Sequence, residues 1–98
     1  MAKIFVNKLI WDEWNIAHIA RHGVVREEVE QVCKSEFIVR DSYDGRYLII
    51  GFTEVGRMIT VILDPEFNEG VYYPISARAT AQNERRYYNQ EKGNKNDK

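Results

Sequence analysis

The sequence predicts a single small α+β domain. Three features point there: helical spacing of apolar residues through positions 12–34, a change to strand-like runs from residue 36, and turn signals at short intervals between those runs. A length of 98 residues suits one domain and is short for two. The predicted order is β-α-α-β-β-β-β-α, an antiparallel sheet with its helices packed on one face.

Residues 4–11 (IFVNKLIW) read as a first strand, apolar with polar interruptions. Asp12 follows and can cap a helix, because its carboxylate accepts from a free backbone N–H of the first turn. That helix covers 12–22, with Ile16, Ile19 and Ala20 as its inward stripe. Trp11 and Trp14 are expected as structural anchors. Gly23 falls where a left-handed C-terminal cap is wanted. Residues 25–34 make a second helix with Val25, Val29, Val32 and Cys33 on its apolar face. Its early acids, Glu27 and Glu28, suit the helix dipole.

The period then changes. Residues 36–41 read as a short strand, Asp44-Gly45 as a turn and 46–53 as a central strand. A turn at Glu54–Gly56 leads to a strand at 57–63, and a loop over 64–70 to a last strand at 71–76. Pro74 cannot donate to a ladder, so it belongs at an edge or a bulge. Thr80 is placed to cap a final helix over 80–92, anchored by Tyr87 or Tyr88. The domain is expected to span 1–92, with the polar residues 93–98 as a disordered tail.

Net charge is −1, from 14 basic and 15 acidic residues, which argues against nucleic-acid binding through bulk charge. The charge is unevenly placed. Residues 36–75 carry three bases and seven acids, whereas 76–98 carry six bases and three acids. One cysteine, Cys33, excludes an internal disulfide framework, and its apolar helical position reads as packing. There is no apolar run long enough to suggest a membrane span and no uninterrupted signal core, so the cytoplasm is the expected compartment.

Several side chains have chemistry to offer. His22 titrates near neutral pH and can move a proton, and Arg21 beside it can hold a phosphate. An ordinary helix C-terminus would use the same basic pair to meet its free carbonyls. His18 and His22 stand four apart, but they lack the further ligands a metal site needs; no metal and no cofactor is called for. Arg46, Arg57 and Arg78 are the second set. If adjacent strands bring them to one sheet face, they bind a polyanion and offset charge on a pentacoordinate phosphate. Alternatively, each pairs with an acid of the middle segment such as Asp44, Glu54 or Asp64. Arg85, within Glu84-Arg85-Arg86, can line an RNA groove or a solvated helix face.

In this order the segments resemble the BrnT toxin family. WDEWNIAHIARHGV (11–24) is similar to its W-D…N…K/R-H-G-V opening, RYLIIGFTEVGRMITVIL (46–63) to its central hairpin, and YYPISARATAQNERRYY (72–88) to its closing strand and helix. The resemblance covers roughly residues 9–90. It implies a RelE-like ribonuclease fold and the toxin half of a type II toxin–antitoxin pair. The implied partner is a small DNA-binding antitoxin, BrnA-like, so that DNA is met only indirectly and within a higher-order complex. Carried over by position, Arg21 takes a place usually held by lysine and His22 the adjoining histidine. Arg57 matches the basic residue after the hairpin turn, Arg78 the arginine of the I-S-A-R run, and Trp11 the early tryptophan. Ala79 stands where many relatives have a polar or basic residue. The resemblance therefore implies metal-independent RNA cleavage, with His22, Arg57 and Arg78 at the reacting phosphate. Arg21, Arg46, Trp11 and Arg85 would line the substrate path. An inactive, toxin-like module that binds an antitoxin is the alternative.

Overall fold

The computed structural model describes residues 3–96. Its elements are β1 (Lys8–Leu9), α1 (Glu13–Ala20), α2 (Arg26–Lys34), β2 (Ile38–Asp41), a 3-10 turn (Tyr43–Gly45), β3 (Tyr47–Phe52), β4 (Met58–Pro65), β5 (Val71–Ala79) and α3 (Gln82–Asn96). The predicted order holds, and the domain is α+β.

The sheet has five strands in the order β1-β5-β4-β3-β2. β2 to β5 form the expected antiparallel meander. The first strand differs from expectation in length and sense. Only Lys8 and Leu9 pair, and they run parallel to Val71 and Tyr72. The sheet is thus mixed rather than antiparallel. The reason is connectivity: the N-terminal segment lies along the outer side of β5, anchored by Asn7 N–H to the Gly70 carbonyl and Ile10 N–H to the Tyr72 carbonyl. Pro74 sits beside a register shift opposite Ile62 and Leu63, the irregular site its missing donor requires.

The helices lie on both faces, not one. β3 and β4 are apolar on both sides, and such strands need cover on both sides. Ile49, Ile59, Val61 and Leu63 meet Ile19, Val29 and Val32 of α1 and α2 in the larger cluster. Leu48, Ile50 and Met58 face the other way and meet Tyr87 and Tyr88 of α3. Both tyrosines serve as anchors. Tyr88 packs edge-on to Phe52 with ring centroids 5.5 Å apart, and the Arg40 guanidinium lies over the Tyr87 ring.

The caps explain which residues are buried. Asp12 caps α1 as predicted: its Oδ1 accepts from Asn15 N–H at 2.9 Å, and Asn15 Oδ1 accepts from Asp12 N–H at 2.9 Å. Asn15 Nδ2 also donates to the Ile10 carbonyl, so the buried polar side chain beside Ile19 is hydrogen-bonded through both its oxygen and its nitrogen. Ile16 and Ala20, expected inward, are exposed instead. Gly23 is left-handed at φ 73°, as its cap position demands. Val25 precedes α2 rather than lining it, and is exposed. Thr80 does not cap α3. Its hydroxyl bonds Thr60, and Glu84 takes the Ala81 N–H at 2.9 Å. α3 continues past Lys92 and Gly93 to Asn96, so the expected tail begins inside a helix, and its last two residues lie outside the described ones. Among the described residues no helix is long and apolar enough to cross a membrane.

Candidate functional site

The expected site residues separate into three places. His22 and Arg21 follow α1, where the chain turns through Gly23 into α2; both are exposed. Arg57 leaves the β3–β4 turn and reaches this junction. Its Nη1 donates to the Gly23 carbonyl at 2.8 Å and to both oxygens of Glu28 at 3.0 and 2.9 Å. The turn is held by Arg57 N–H donating to Thr53 Oγ1 and Thr53 N–H donating to the Arg57 carbonyl. Arg57 is therefore tied to the residue next to His22. All of its side-chain bonds run from Nη1, and Nε and Nη2 bond none of the described residues. Nη1 grips the protein, and the side chain as a whole is 36% exposed.

Arg78 lies elsewhere. It pairs across the ladder with Thr60, whose side chain points toward α3, whereas Arg57 reaches the α1–α2 side. Arg78 Nη1 and Nη2 donate to the two oxygens of Glu84 at 2.7 and 2.6 Å. Glu84 also accepts from Thr60 Oγ1 at 3.0 Å and from Ala81 N–H. The Arg78 bond, with help from Ala81 and Thr60, holds the buried Glu84 carboxyl at about 2 against the opposing effect of burial. The same bond pushes the Arg78 guanidinium further up. Arg78 thus docks α3 onto the sheet and does not converge with His22 and Arg57 on a shared anion pocket.

Arg46 is also remote. Arg46 and Arg57 begin consecutive antiparallel strands, so they lie at opposite ends of the hairpin, about 20 Å apart for six residues of strand. Arg46 is half-buried near Asp64 and Asp44, with its guanidinium over the Tyr43 ring. Arg85 is exposed on α3, across the sheet from His22. Trp11 is a structural brace: it packs against the main core and its Nε1 donates to Glu30 Oε2 at 2.8 Å, joining the start of α1 to α2. Cys33 is packing too. Burial, with the nearby Glu30 charge, pushes its thiol up to about 12, which keeps it protonated and unreactive.

What the fold brings to the α1–α2 junction is Arg57, bonded to Glu28 and to the carbonyl of Gly23, which follows the exposed Arg21 and His22 in the chain. The chemistry of this corner is that of an anion site next to a proton carrier. The chain is similar to a solved ribonuclease toxin. The crystal structure of BrnT from Brucella abortus aligns with a TM-score of 0.61 and 28% sequence identity, covering 76% of this chain and 97% of that one. No protein-family model matches the chain, and no curated protein does. The likeness supports a BrnT-like, toxin-like fold.

Sequence reasoning missed two features of this region. Glu28, read as a dipole partner, is the group that orients Arg57. Trp14, expected as a structural anchor, is 57% exposed and stacks on His18. The second was legible in principle, since Trp14, His18 and His22 recur at a spacing of four, which aligns them along one helix face.

Proposed function

We propose that this protein is an endoribonuclease toxin working at the α1–α2 junction. The observation that carries the reading is the placement of His22 beside Gly23, which holds Arg57, within a fold similar to a ribonuclease toxin. The RNA 2′-hydroxyl attacks the adjacent phosphorus, forming the P–O2′ bond and breaking the P–O5′ bond. The products are a 2′,3′-cyclic phosphate and a 5′-hydroxyl. His22 is the proton-transfer group. Arg57 holds the phosphate and offsets its developing charge. Arg21 positions the RNA backbone. Glu28 keeps Arg57 extended toward the site. Arg78 contributes by docking α3.

The partner in this reading is an antitoxin of the BrnA kind that covers the cationic corner and shuts RNA out. Contact with DNA runs through that partner. A second reading, an inactive toxin-like module that binds an antitoxin, draws on the carboxylates that already engage Arg57 and Arg78.

The experiment is cleavage of total RNA by purified protein, with product-end analysis, for wild type and His22→Ala. Wild type is expected to yield cyclic-phosphate ends, and His22→Ala to lose about 10²–10⁴-fold in rate. RNA left intact by wild type, together with no growth arrest on induced expression, would overturn the enzyme reading and favour the module.

A further inference from the structure

We propose that Trp14, His18 and His22 form a stacking platform for one unpaired RNA base, with the indole of Trp14 as the surface the base covers. The proposal rests on the RNA reading above and names how the substrate is seated. The rings ascend α1 as a ladder. Trp14 and His18 are nearly parallel, 8° apart in plane with centroids at 4.8 Å. His18 meets His22 edge-on at 5.8 Å. One face of Trp14 is covered by His18, and the residue remains more than half exposed. Trp11, by contrast, is partly buried against the core.

The charges around the ladder choose the occupant. At the His22 end stand Arg21 and, bonded to the carbonyl of the adjoining Gly23, Arg57. At the Trp14 end stand Asp12 and Glu13, with Asp12 engaged by Asn15 N–H and the Tyr73 hydroxyl. A strand laid along the ladder places a phosphate at the cationic His22 end and, because Trp14 lies two helical turns or about 11 Å away, sets the base of a nucleotide one or two further along on the exposed indole. Aromatic stacking accepts any base, so the platform supplies affinity and register rather than sequence choice.

The test uses a short all-2′-O-methyl RNA, which binds without being cut, and the same oligonucleotide with one abasic position. Binding is read by tryptophan fluorescence and by anisotropy of an end label. Wild type is expected to bind the intact oligonucleotide with quenching. Trp14→Ala should bind it about 10-fold more weakly, and Trp14→Phe should keep most of the affinity. The abasic oligonucleotide should narrow the gap between wild type and Trp14→Ala. Equal binding by wild type and Trp14→Ala overturns the proposal, even if the variant melts earlier, because the ladder then serves only the helix or a protein partner. Failure of wild type to bind overturns it as well. Cleavage of ordinary RNA is followed in parallel. Cleavage with no Trp14 dependence of binding removes the platform and keeps the ribonuclease. Trp14-dependent binding without cleavage removes the ribonuclease and keeps the platform.

Discussion

Arg57 and Arg78 show how one residue type takes two roles by virtue of its surroundings. Both are ion-paired, but Glu28 meets a single nitrogen of Arg57, whereas Glu84 meets both terminal nitrogens of Arg78 and is itself buried. Replacing Arg57 with alanine should lower RNA cleavage about 10²–10³-fold, the usual loss of one well-placed charge-stabilising donor, measured as kcat/KM on a defined oligonucleotide. Replacing Arg78 should act on stability. Arg78→Ala strips a buried carboxylate of its charged partner and is expected to cost about 2–3 kcal/mol in urea unfolding. His22 is exposed and outside the core, so His22→Ala should leave the same unfolding curve within about 0.5 kcal/mol.

At the scale of elements, the attachment of α3 carries a pH signature. Glu84 has its carboxyl lowered to about 2 in the folded protein from an ordinary value of 4.5. A depressed carboxylate stabilises the fold above its unfolded value, and that contribution disappears as pH falls through the folded one. The protein should therefore lose on the order of 2–3 kcal/mol between about pH 4.5 and pH 2 through this group, with Glu84→Gln flattening the slope in that window. The α2–β3 contact makes a different demand. A Cβ at Gly51 would lie 2.7 Å from Ser35 Oγ, 3.1 Å from Phe37 Cβ and 3.2 Å from Val32 Cγ1. Ser35 is held by its own bond to the Val32 carbonyl and cannot readily swing away. Gly51→Ala should cost about 1–3 kcal/mol, read as a lower thermal midpoint.

Across the whole molecule, the near-zero net charge and the scattering of arginines limit how RNA would be held under the proposed function. With Arg21 and Arg57 as the phosphate contacts, the slope of log affinity against log salt should be shallow, about −1.4 for two contacts on a single strand. A basic face built from all the arginines would give a far steeper line. A titration of the non-cleavable oligonucleotide across salt concentrations decides between them. The same global view explains why α3 went to the second face. Leu48, Ile50 and Met58 would otherwise be left in water opposite the main core.

The order of elements, the Asp12 and Gly23 caps, the meander and the irregular place of Pro74 were determined by the sequence itself, because each depends on backbone conformation and hydrogen bonding within a few residues. The corner formed by His22 and Arg57 belongs to residues 35 positions apart in a chain whose fold brings Arg57 to the Gly23 carbonyl. Tertiary structure alone decided that meeting, along with the exclusion of Arg78 and the parallel seat of β1. The physical reason is common to all three. Alternation along a strand tells which residues share a face, but which charge neutralises which, and which face a helix covers, depends on packing between segments distant in the chain.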